Sequence, residues 1–126
     1  MNDPLPADAT TTLQDVKQTV AQFVDERDWK QFHSPKNLSM ALAIEAAELM
    51  EHFQWISMQE SRTIGDNPEK LQAVGEEISD VLCYLVGLAN ELDIDLSTAL
   101  NAKMVKNRQK YPAEVYRGKY GDEDLD

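Results

Sequence analysis

Two segments put acids where apolar residues are expected. In "ALAIEAAELMEHFQW", Ala41 to Trp55, Glu45 and Glu48 interrupt a run of Ala, Ile, Leu and Met. In "GEEISDVLCYL", Gly75 to Leu85, three carboxylates (Glu76, Glu77 and Asp80) fall within five residues. At about 100° per residue, an i, i+3 pair lies about 60° apart on one helix face. Glu45 and Glu48 then share a face with Leu38, Leu42, Leu49 and Ile56, and Glu77 and Asp80 share one with Ala73, Val81, Tyr84 and Leu88. Glu76 points about 100° away from Glu77 and is expected at a solvated or salt-bridged rim.

Four converging acids are costly without a partner, because like charges in a dry site raise one another's pKa or disrupt the fold. A hard divalent cation with oxygen ligands, Mg²⁺ or Mn²⁺, offsets that cost. The alternative is structural pairing with cations such as Lys103 and Arg27, but two cations do not neutralise four acids. The expected metal ligands are therefore Glu45, Glu48, Glu77 and Asp80. Di-iron bundles use Glu-x-x-His on two helices. Here His52 follows Glu48 by four residues and the second acidic segment holds no His. An all-carboxylate set suits Mg²⁺ and phosphate chemistry better than O₂ chemistry.

A further segment supplies a complement. Leu96, Leu100, Lys103, Asn107 and Lys110 share a helix face, with Tyr111 at its margin. A Lys and an Asn one turn apart suit a polyphosphate; a snorkelling Lys and an Asn that caps a neighbour are the structural alternative. The aromatics Trp29, Phe32, Trp55 and Tyr84 flank the acids in sequence or on the face. Each alone could be core. Beside a metal site and a basic stripe they read as a nucleoside slot, since base stacking is worth about 1–3 kcal/mol per ring.

These residues need helices to hold them. Residues 1–11 read as a flexible leader, 12–112 as one helical domain and 113–126 as a flexible acidic tail. Thr12 with Asp15 predicts an N-cap and an imperfect capping box. Leu13, Val16, Val20, Phe23 and Arg27 continue at helical spacing. Ser34-Pro35 predicts a second helix running to about Met58. "TIGDNPEK" reads as a loop, Pro68 opens a third helix to about Leu92, and Asp95 caps a fourth that Pro112 ends. The class is an all-α four-helix bundle. Ala43, Ala46, Ala47 and Met50, on the back of the second helix, are also apolar. A helix apolar all round is buried on both sides, so a second subunit is expected against it.

At 126 residues with 42% hydrophobic residues, the chain is one domain by size, and an oligomer would help so small a core. The net charge of −11 argues against binding a nucleic-acid polymer. Neither a membrane-spanning run nor an export signal is visible. A single Cys83 in an apolar segment reads as a buried structural thiol in a reducing, cytoplasmic compartment.

The ordered set "FVDERDWKQFHSPKNL", "EAAELMEHFQW", "EEISDVLCYLVGLA" and "KMVKNRQKYPAE" resembles the all-α nucleoside triphosphate pyrophosphohydrolases of the MazG-like superfamily. The similarity extends from about Leu13 to Ala113 and keeps a 28-residue gap between Glu45-x-x-Glu48 and Glu77-x-x-Asp80. It implies a dimer of dimers and Mg²⁺-dependent hydrolysis of a (deoxy)nucleoside triphosphate, dCTP or a modified dCTP foremost, to monophosphate and pyrophosphate. It also implies that Glu45, Glu48, Glu77 and Asp80 hold metal, that Trp29, Trp55 and Tyr84 shape the nucleoside pocket, and that Lys103, Asn107 and Tyr111 contact phosphates. Val20 departs from the pattern, since vertebrate members carry His there, which weakens the case for cytosine preference. Glu45 or Glu48 is expected to orient or deprotonate the attacking water. The alternatives are the same chemistry on dUTP or a broad set of triphosphates, and a non-enzymatic helical interaction module whose acids are structural.

Overall fold

The structure, a computed structural model, describes residues 3–120, and no strand occurs among them. Two compact units divide it after Asp93. The first holds α1 (Leu13–Glu26), α2 (Pro35–Glu51), α3 (Met58–Arg62) and α4 (Pro68–Glu91), with short 3-10 turns at Asp8–Thr10, Lys30–Phe32 and Ile64–Asp66. The second holds α5 (Leu96–Lys110) and α6 (Ala113–Tyr116). Helical turns thus also occur within the expected leader and tail, and residues 121–126 of that tail lie outside the described residues.

The long helices start on side-chain caps. Thr12 Oγ1 accepts from Asp15 N–H at 3.0 Å while Thr12 N–H donates to Asp15 Oδ2 at 2.9 Å, so the capping box is reciprocal. Ser34 Oγ caps α2 ahead of Pro35, Asn67 Oδ1 caps α4 ahead of Pro68, and Asp95 Oδ1 caps α5. The second helix is shorter than expected. It ends at Glu51, and α3 starts separately because Ser57 and Glu60 form a capping box of their own. A new cap competes with helix continuation, so the apolar spacing through Ile56 overstates the length.

Within the first unit, α2 packs chiefly on α4, and α1 packs on α4 as well. Val24, Leu38, Val74, Val86 and Ala89 form the core, with Leu38 at 2% and Val86 at 0% exposure. Asn90 Nδ2 donates to Lys17 O at 3.1 Å, tying α4 to α1. The other faces of these helices are uncovered within the chain: Met40, Ile44 and Met50 on α2 and Leu71, Ile78, Leu82 and Leu85 on α4 are exposed. The α4 set follows i, i+7, i+11, i+14, one continuous stripe. No described helix is long and apolar enough to cross a membrane.

The turn after α1 needs a rare backbone. Asp28 adopts a positive φ of 52° just after α1, a conformation that Asp tolerates better than most residues. The chain folds back there, and Trp29 N–H donates to Val24 O at 3.1 Å.

Candidate active site

Docking α2 on α4 brings together Glu45, Glu48 and Glu77, whose ligand oxygens all lie within 4.8 Å of one another. Asp80, one turn after Glu77 and one methylene shorter, is not in this set, but its charge acts on both Glu45 and Glu77. Glu45 and Glu77 are half-buried, and the Oε2 atom of each is buried without a hydrogen-bond partner. Glu76 stays out of the group and accepts from Gln72 Nε2 at 3.4 Å.

The electrostatics follow from burial first and from crowding second. Burial raises the pKa of Glu45, reinforced by the adjoining Glu48 carboxyl, with which protonated Glu45 could share its proton, and by the charges of Glu48, Asp80 and Glu77. Burial also raises that of Glu77, with Glu48 and Asp80 adding to the rise and His52 opposing it. Arg27, one of the two cations that could have neutralised the acids, instead pairs with Glu26 at 3.5 Å. Orphaned buried oxygens call for a partner. An all-oxygen donor set fits a hard divalent cation such as Mg²⁺ or Mn²⁺.

Beside the acids lies a cavity of about 440 Å³ between α1, the connector and α4. Asp80 joins the two, because it also lines the cavity with Trp29, His33, Tyr84, Val20 and Phe23. A smaller cavity of about 350 Å³ near Glu60 and Lys70 contains none of the four acids.

The aromatic residues separate into two groups. Trp29 and Tyr84 stand in the cavity wall. Phe32 and Trp55 do not line it and are exposed, Trp55 at 87%. Phe23, His33, Thr19 and Cys83 line the cavity as well and were not singled out as site residues from the sequence. Phe23 sits at core spacing on α1, and His33 lies in an irregular connector, so neither had a chemical signature. Cys83 corrects the sequence reading, since its thiol is exposed. The cavity opens in front of it, whereas Val86 and Ala89, further along α4, are covered. Partial burial and the charge of Asp80 push the thiol's pKa up.

In the second unit, Lys103 and Asn107 lie one turn apart on α5, Lys103 exposed and Asn107 half-buried. Tyr111 ends α5, and its N–H donates to Asn107 O at 2.8 Å. Its ring meets Tyr116 edge-on at 5.2 Å between centroids, and Lys110 Nζ lies 5.3 Å from its centroid.

Comparison with known proteins places the chain in a family. The MazG-like family model matches residues 40–122. The dCTP pyrophosphatase 1 of Rattus norvegicus is 47% identical over 114 residues, covering 88% of this chain and 67% of the rat protein. Its Bos taurus namesake is 43% identical over 122 residues, covering 94% of this chain and 72% of its own. Among solved structures, a pyrophosphatase from Archaeoglobus fulgidus superposes with a TM-score of 0.72 at 34% identity, over 86% of this chain and 99% of the other. The chain belongs to the MazG-like family.

Proposed function

We propose that the chain hydrolyses dCTP or a base-modified dCTP to the monophosphate and pyrophosphate, with Mg²⁺ or Mn²⁺ as cofactor, and so removes unwanted nucleotides from the cytoplasmic pool. It is a nucleoside triphosphate pyrophosphatase, and the base, the metal and the residue roles are our reading. The observation that carries this reading is the meeting of Glu45, Glu48 and Glu77, with two orphaned buried oxygens, beside an aromatic-walled cavity.

In this reading Glu45, Glu48, Glu77 and Asp80 would hold the metal, which would supply charge neutralisation for the phosphates and activation of a water. Glu45 or Glu48 would orient that water and accept its proton. Trp29 and Tyr84 flank the base from the cavity wall. Trp55 and Phe32 complete the slot from positions exposed in the single chain. Lys103, Asn107 and Tyr111 bind the phosphates. Subunits pair through the uncovered faces of α2 and α4 into a homotetramer, a dimer of dimers.

Pyrophosphate release across the common and 5-substituted triphosphates, with and without chelator, tests the reading. Chelation should abolish turnover, and Asp80→Ala and Glu48→Ala should each do so in a folded chain. Normal turnover by Asp80→Ala would remove it from the metal set. Activity on dUTP equal to that on dCTP would favour the broad-specificity alternative, which Val20 in the cavity wall makes worth testing.

A further inference from the structure

The proposed base slot has a wall whose rings are held by one another and by a cation. Trp29 and Phe23 pack edge-on with ring centroids 5.7 Å apart, and Trp29 meets His33 at 6.4 Å. All three rings line the cavity. On the far end of this row, the Arg27 guanidinium carbon lies 3.8 Å from the Phe23 centroid, and Arg27 Nη1 donates to Phe23 O at 3.1 Å. Arg27 is not on the cavity lining. Its side chain is 41% exposed and its carboxylate neighbour, Glu26, is held at only 3.5 Å.

The placement is set by the turn already described. Asp28 in the left-handed region reverses the chain directly after Arg27. Trp29 then returns to the end of α1, pinned by its N–H to Val24 O. Gln31 Nε2 closes the same turn by donating to Asp28 O at 3.0 Å. Arg27 and Trp29, two residues apart, therefore both meet the Phe23 ring, Arg27 on its face and Trp29 by an edge contact. A guanidinium stacks on a ring face in a way that an ammonium does not reproduce.

We infer that Arg27 is a positioning residue for nucleoside recognition: by clamping Phe23 it fixes the ring against which Trp29 is set. The inference rests on the reading of the cavity as the base slot. Arg27 touches neither the acids nor the phosphates in this scheme. Its loss should weaken base binding and leave the chemistry of the bound triphosphate alone.

The test is steady-state kinetics of Arg27→Ala, Arg27→Lys, Phe23→Leu and Trp29→Ala on dCTP, with inhibition by inorganic pyrophosphate as control. Arg27→Ala should raise KM about two- to fivefold, the scale of one cation–π contact, with kcat within about twofold and the pyrophosphate inhibition constant unchanged. Phe23→Leu keeps apolar volume but removes the ring face, so it should raise KM alike, and adding Arg27→Ala to it should bring no further rise. Arg27→Lys should recover part of the loss. If Trp29→Ala raises KM while Arg27→Ala does not, the clamp is refuted and the slot stands. If Trp29→Ala leaves KM at the wild-type value, the slot reading fails first. Equal weakening of pyrophosphate and dCTP by Arg27→Ala would indicate a general structural role and also refute the clamp.

Discussion

At the scale of single residues, burial and neighbouring charge in the acid cluster oppose the ionisation of its carboxyl groups. The pKa of Glu77 is raised above the ordinary glutamate value of 4.5, so the folded chain favours its protonated form. That contribution to stability is complete below about pH 4.5 and is lost as pH climbs through the raised value. Glu77→Gln never ionises and escapes the loss. In chelator, its melting temperature relative to wild type should therefore rise with pH above about 4.5 and then level off. If Glu77 holds metal as proposed, millimolar Mg²⁺ should reverse the order at neutral pH, because only the carboxylate brings a negative charge to the cation. Thermal melts over a pH series with both additives check this, and a pH-independent difference would mean that Glu77 is not electrostatically stressed.

At the scale of elements, the turn between α2 and α3 is where the proposed base slot departs furthest from the cavity, whose lining holds no residue of that turn. Trp55 sits there at 87% exposure, which excludes it from the core of its own chain. Trp55→Ala should leave the melting temperature of an isolated chain near wild type. If the ring stacks on the base, the same variant should lose about 1–3 kcal/mol of nucleotide binding, seen in KM with kcat nearly intact. The caps at Thr12–Asp15 and Ser34–Asn37 and the meeting of Glu45, Glu48 and Glu77 were legible in the sequence, because each cap and the Glu45–Glu48 pair is written within a four-residue window; Asp80, one turn past Glu77, stands outside that group. The early end of α2 was not, since apolar spacing continued to Ile56 while the Ser57 cap decided the break. The cavity wall was half legible. Trp29 and Tyr84 are conspicuous aromatics, whereas His33, Thr19 and Cys83 acquire meaning only when α1 and α4 are laid side by side.

At the scale of the whole molecule, one chain covers too little of its own apolar surface. Among the described residues five hydrophobic ones form the buried set named above, while Ile44, Met40 and the α4 stripe of Leu71, Ile78, Leu82 and Leu85 stay exposed. Continuous apolar helix faces of this kind mark association sites. Light scattering at micromolar concentration should find a dimer or tetramer, and Ile78→Asp, placed mid-stripe, should shift it towards smaller species. A wild-type monomer would remove the assembly proposal.

The division of labour between local caps and a distant acid cluster also has a kinetic side. Each long helix carries its own starting signal, so helix formation can run ahead of docking. The cluster exists only after α2 has met α4, with Glu48 and Glu77 separated by 28 intervening residues of chain. If that docking completes after the folding barrier, a cation recognises nothing before it. Mg²⁺ should then slow unfolding by its full stabilising factor and leave the refolding rate unchanged. The chain would collect its cofactor last and release the fold only after giving it up.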